Sequence, residues 1–190
     1  MSSSHLVKSG RGGVLNMNLN IKKSFLISVL ALMLPCTAGA QELETSSNPW
    51  SGWTVLSAGV LLHGGKHMGH EARLTHYFDK DFYHFHPLVD FSVTDQGGTW
   101  LGAGIYVEGE YKTNKGSLFV GASFAPGLYF KGHEMDLGYP LEFRSGIEAG
   151  FKTDSGYRVS ISYDHRSNAR IKKLNPGMET IQLRIGKHFN

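Results

Sequence analysis

The 190-residue chain has a single cysteine, Cys36, and only 6 prolines. Cys36 lies in a segment that reads as a targeting sequence, so the mature chain has no thiol and forms no disulfide. The residue before it is Pro35, where a lipoprotein signal needs a small side chain, so lipidation is rejected. The chain also lacks a real charge excess. With Lys8, Arg11, Lys22 and Lys23 set aside, the 19 basic residues fall to 15 against 16 acidic. No clustered basic face is left, which argues against a nucleic-acid partner. Long apolar runs are missing too. Ser24–Leu34 is apolar but too short to span a bilayer as a helix, which takes about 20 residues. After Lys22 and Lys23 and before Thr37-Ala38-Gly39-Ala40, it reads instead as the core of a signal peptide covering residues 1–40. Residues 1–16 precede Met17, itself a plausible start. The exported domain then runs over residues 41–190.

What the chain does have is 24 glycines, 12% aromatic residues and a period-two alternation that recurs along the exported part. Tyr83, Phe85, Val89, Phe91 and Val93 alternate with His84, His86, Asp90 and Ser92. Leu101, Ala103, Ile105 and Val107 alternate with Gly102, Gly104, Glu108 and Glu110. The pattern repeats over Leu118–Phe124, Leu141–Phe151, Tyr157–Asp164 and Ile181–Phe189, with weaker segments at Trp53–Leu62 and Glu71–Phe78. These are eight strands. The polar face carries both signs, with Arg73, Glu108, Glu110, Glu142, Arg144, Glu148, Arg158 and Arg184. A soluble lipocalin-like barrel would turn that face to water; a membrane barrel turns it inward. Three features favour the second: the signal peptide, the aromatics near strand ends (Trp50, Trp53, Trp100, Tyr111, Tyr129, Tyr139), and a terminal alternating strand with Phe189 next to last. The expected fold is all-β, an eight-stranded antiparallel transmembrane β-barrel in the bacterial outer membrane. Longer links at His63–His70, Lys131–Gly138 and Asn168–Gly177 alternate with short turns at Asp79–Asp81, Asn114–Gly116 and Asp154–Gly156, and are assigned to the outside. A barrel of eight strands is just wide enough to fill with side chains, so a channel is not expected.

Candidate chemistry lies in Asp164-His165-Arg166-Ser167-Asn168-Ala169. His165 and Ser167 are two apart at a strand end, so they share a face. Their parity is that of Tyr157, Val159, Ile161 and Tyr163, and Glu179 has the parity of Ile181, Leu183 and Ile185. All three polar groups should therefore point to lipid, where such groups are costly and mark function. Ser167 becomes a nucleophile when His165 takes its proton, and Glu179 orients the imidazole. Asn168 or neighbouring backbone N–H groups can donate to an oxyanion. That set suits ester hydrolysis of a lipid without metal or cofactor. A structural barrel with polar rim residues, a phospholipase and an acyltransferase are the alternatives on spacing alone.

Asp164-His165-Arg166-Ser167-Asn168-Ala169-Arg170-Ile171, followed by Asn175-Pro176-Gly177-Met178-Glu179, resembles the signature of the lipid A 3-O-deacylase (PagL) family. Pro126-Gly127-Leu128-Tyr129 and Asp136–Glu148 resemble it as well. The specific likeness covers about residues 124–189. It implies an outer-membrane barrel with Ser167 as nucleophile, His165 as base, Glu179 as acid and Asn168 in the oxyanion hole, acting on the 3-O-linked hydroxyacyl chain of lipid A without a cofactor. Arg170 departs from the family, which typically has Gly after Asn-Ala. The partners implied are lipopolysaccharide and outer-membrane lipid; a homodimer is left open. Of the other polar residues, His63, His67 and His70 read as a solvated loop, with metal binding as the alternative. His84 and His86 read as lumen residues. Lys172 and Lys173 are loop charges beside the site, suited either to an anionic headgroup or simply to water.

Overall fold

Alternation of β-branched and aromatic residues with small or polar ones builds strands with two unlike faces. The computed structural model describes residues 48–190 and has eight of them: β1 Gly52–His63, β2 Lys66–Phe78, β3 His86–Thr94, β4 Thr99–Thr113, β5 Gly116–Phe130, β6 Leu141–Lys152, β7 Tyr157–Ser167 and β8 Met178–Phe189. The signal peptide expected at residues 1–40 lies outside the described residues. Neighbours pair antiparallel in sequence order, and β1 closes on β8 from Gly52↔Phe189 to Leu62↔Glu179. Closure leaves no strand edge, so backbone polar groups are satisfied within the wall, as a bilayer interior requires.

The two faces settle which side is inside. Leu56, Leu101, Val120, Ile147, Val159, Ile161, Leu183 and Ile185 are exposed on the outer wall. Glu71, Arg73, Asp90, Glu142, Arg144, Glu148, Arg158, Asp164, Arg166 and Arg184 are buried in the lumen. This is the inverse of a water-soluble barrel and defines a membrane-spanning one. The lumen is filled by an ionic lattice. Glu71 accepts hydrogen bonds from Arg73 (3.2 Å), Arg166 (2.6 Å), Ser92 (2.5 Å) and Gln182 (2.7 Å). Asp164 accepts from Arg73 at 3.0 Å and from Ser162 at 3.0 Å. Glu148 holds Arg158 at 2.6 Å and Arg184 at 3.1 Å, and Arg144 pairs with Asp90.

Four expectations change. Residues 63–70 are not an open loop: β1 and β2 continue to a two-residue turn at Gly64-Gly65, with a register shift between Leu61 and Leu62. The β2–β3 link is longer than a tight turn, and within it Phe82 pairs with Phe85. Tyr83 and His84 form the tip of that hairpin with φ of 54° and 70°, so His84 is exposed rather than in the lumen. Trp100 and Tyr129 are not girdle residues. Both are buried, and Trp100 lies between Arg144 and Arg166, 5.1 Å and 4.9 Å from its ring. Trp53 is partly buried with Arg158 over its ring, while Trp50, Tyr111 and Tyr139 are exposed.

Candidate active site

The site is written into the alternation of β7. Asp164 and Arg166 point inward, where Arg73 and Glu71 on β2 hold them at 3.0 Å and 2.6 Å. His165 and Ser167, interleaved with them, point outward. The lumen lattice thus fixes the backbone that carries the outer-face pair. Across the β7–β8 ladder His165 is the direct partner of Glu179. Directly opposed residues bring their side chains together, and His165 Nδ1 lies 3.2 Å from Glu179 Oε1. The carboxylate accepts, so Nδ1 is the donor, and in the neutral ring this tautomer leaves the lone pair on Nε2. The His165 side chain is 42% exposed and that of Glu179 22%. The pair is therefore open on one side and sits at the upper edge of the apolar wall formed by Tyr163, Ile181 and Leu183.

Ser167 is half-buried, two residues beyond His165 and paired with Phe143 of β6. Among the described residues none hydrogen-bonds to its hydroxyl. In substrate-free hydrolases the nucleophile–base contact is commonly longer than in the reacting complex.

Asn168 differs from expectation. It is fully buried, and its side-chain amide donates to Leu137 O at 2.8 Å and Leu174 O at 2.7 Å. Its backbone N–H donates to Asn175 Oδ1 at 3.0 Å. Every N–H of Asn168 is spent tying the β5–β6 loop to the β7–β8 loop, which leaves none for an oxyanion. The next turn offers other donors. Ile171 N–H bonds to Asn168 O at 2.9 Å, and the two residues between, Ala169 and Arg170, have φ of 51° and 66°. Among the described residues their backbone N–H groups have no partner. A non-glycine residue held in the left-handed region costs on the order of 1–3 kcal/mol and persists where the surroundings enforce it. The family's usual glycine at position 170 would not incur that strain.

Two residues join the site that sequence reasoning did not assign to it. Gly177 (φ 77°) packs on the imidazole edge so closely that a β-carbon there would lie 2.9 Å from His165 Cε1. His63, at the end of β1, contacts the Gly177 carbonyl through Nδ1 at 3.0 Å. The carbonyl can only accept, so His63 donates. His67 and His70 lie apart from this contact: their rings meet at 4.9 Å, and His70 bonds Asp95 at 2.9 Å. Among the described residues no group of three His, Cys, Asp or Glu side chains is placed to hold a metal. No signal in the sequence pointed to His63, because the pairing of its neighbour Leu62 with Glu179 arises only when β1 closes on β8.

Fold and site together define a class: a membrane-spanning β-barrel with a serine and a histidine–carboxylate pair on its lipid-facing wall. Residues 71–188 match the family model described as lipid A 3-O-deacylase (PagL). The chain belongs to that family. A lipid A deacylase PagL from Bordetella bronchiseptica (strain ATCC BAA-588 / NCTC 13252 / RB50) is 31% identical over 90 residues, which span 47% of this chain and 44% of that relative. Among solved structures, the outer membrane enzyme PagL superposes with a TM-score of 0.63 at 21% identity, covering 72% of this chain and 99% of that one. A de novo designed transmembrane β-barrel superposes at 0.52 with 10% identity, covering 75% and 98%. These two likenesses bear on the fold.

Proposed function

We propose that the protein is a lipid A 3-O-deacylase of the bacterial outer membrane, which releases the ester-linked 3-hydroxyacyl chain into the outer leaflet. The observation that carries this reading is the 3.2 Å His165–Glu179 pair beside Ser167 on the apolar wall. Charged groups facing lipid are costly without a role, and this wall is where an acyl chain would lie. Family membership names the substrate class. Residues 1–40 serve as the export signal in this reading.

The steps follow from the residues. His165 Nε2 takes the proton of Ser167 as Oγ attacks the ester carbonyl, and Glu179 stabilises the imidazolium through Nδ1. The Ala169 N–H donates to the oxyanion. Collapse breaks the bond to the sugar oxygen, which leaves as the free 3-hydroxyl after taking the proton from His165. Water, deprotonated by His165, then attacks the acyl-Ser167 ester. A 3-hydroxy fatty acid is released and Ser167 is restored. No cofactor enters any step.

Mass spectrometry of lipid A from cells expressing the wild type or Ser167→Ala tests this. The wild type should remove one hydroxyacyl chain; the variant should be slower by about 10⁶-fold, as for loss of a serine nucleophile elsewhere. Identical spectra, with both barrels folded and detergent extracts equally inactive, would overturn the assignment.

A further inference from the structure

The loop between β7 and β8 carries more basic side chains than any other outer connection. From Asn168 to Met178 it contains Arg170, Lys172 and Lys173 and no acidic residue, whereas the β3–β4 link carries Asp95 and the β5–β6 loop carries Glu134 and Asp136. Lys131 in the β5–β6 loop is neutralised by Asp136 at 3.1 Å. Among the described residues Arg170, Lys172 and Lys173 form no ion pair; Lys172 lies over the Tyr139 ring at 5.4 Å. The three cations are exposed, and so are Ile171 (49%) and Leu174 (55%) between and beside them. Cations interleaved with exposed aliphatic side chains suit a segment that sits at headgroup level with its apolar residues in the leaflet.

The loop is also rigid where it meets the site. Asn168 ties it to Leu137 and Leu174, and Asn175 caps the Asn168 N–H. Arg170 is held at φ 66°, a conformation in which a long side chain is strained and glycine is not. This strained, clamped turn lies three residues from Ser167, and the exposed side chain it carries is a guanidinium. An arginine presents paired donors that match a phosphate's oxygens, which lysine does as a point charge.

We propose that Arg170, supported by Lys172 and Lys173, forms a subsite for a phosphate group on the headgroup of the lipid substrate and so sets which ester reaches Ser167. This rests on the deacylase reading for the identity of the lipid, though not for the existence of the anion site. A lipid phosphate held beyond Ser167 fixes the headgroup laterally while its acyl chains lie against the wall below His165.

The test is a binding measurement that needs no turnover. The full barrel carrying Ser167→Ala, in detergent micelles, is titrated with phosphorylated lipid A and with the same lipid after phosphatase treatment. Removing the phosphates should weaken binding about tenfold, the size expected for a charge-assisted paired contact. Adding Arg170→Gly should weaken binding of the phosphorylated lipid about tenfold and leave the dephosphorylated lipid unchanged. Lys172→Ala and Lys173→Ala should each cost about threefold. The melting temperature of the Arg170→Gly barrel should be equal or higher, because glycine relieves the strained φ, and that opposite sign separates a binding role from fold damage. Equal binding of the two lipids, or an equal loss for both in Arg170→Gly, overturns the proposal. An equal loss for phosphatidylglycerol micelles also overturns it, because the loop is then a general membrane anchor. Wild-type hydrolysis of the two lipids is read separately: its absence on both sinks the deacylase reading and leaves the binding comparison standing.

Discussion

In the lumen, Glu71 takes hydrogen bonds from Arg73, Arg166, Ser92 and Gln182, and Asp164 is held by Arg73 and Ser162. On the outer wall, β7 carries a serine whose hydroxyl has no partner among the described residues and a histidine bonded through one ring nitrogen. The two regions are one residue apart along β7. Inside, Glu71, Asp164 and Glu148 are each matched by arginines and removed from solvent, and these pairs lock the barrel. Outside, polar groups are few and incompletely satisfied, in surroundings that penalise them. The lumen residues are the reason the outer pair can stay open: a backbone pinned from inside needs no outer contacts to hold its geometry.

That contrast can be broken from the outside first. Glu179→Gln keeps the shape but loses the charge that holds the imidazole in its tautomer. Its hydrolysis rate should fall about 10³–10⁴-fold, while thermal unfolding of the barrel in detergent stays where it was. A drop in melting temperature alongside would show that Glu179 belongs to the scaffold.

Breaking it from the inside should do the reverse. Arg73→Ala leaves buried Asp164 without its ion-pair partner and Glu71 with Arg166 as its one remaining arginine, and the expected loss is about 3–5 kcal/mol of stability. Denaturant unfolding followed by the mobility of the folded barrel on gels reads it. Residual activity per folded molecule should fall far less than for Glu179→Gln; an equal fall would mean that the lumen tunes the chemistry directly.

The smallest change sharpens the boundary. His63 touches the site only through the Gly177 carbonyl, so His63→Ala removes one neutral hydrogen bond, worth about 1 kcal/mol. We expect kcat to fall about fivefold with KM unchanged. A rise in KM alone would place His63 against substrate instead of behind the imidazole.

Strand number, order and the facing of His165, Ser167 and Glu179 were legible because parity is a local property. Each side chain alternates with its neighbour whatever the rest of the chain does. The misreadings have equally local causes. Gly64, Gly65 and Gly69 among three histidines look like a loop, yet the barrel rim pairs Lys66–His70 into β2 by inserting one extra residue at the register shift. Trp100 looks like a girdle aromatic, but it shares the parity of Gly102, and a β-carbon at Gly102 or Gly127 would strike the indole at 2.7 Å or 2.6 Å. The two glycines make the space that takes the ring inside. With that reading the sequence would have placed it correctly.

The amino-acid sequence by itself determined the period, the alternation of faces along each strand and the presence of a serine, a histidine and a carboxylate on one wall. Tertiary structure decided which wall faces outward, that Asn168 is spent as a tie between loops, and that His63 supports the site through Gly177. Alternation is set by the pleat between adjacent residues. The partners of Asn168 Nδ2, Arg73 and His63 are instead 31, 91 and 114 residues away. Only closure of β1 on β8 and the packing of the outer loops bring such distant groups within bonding distance.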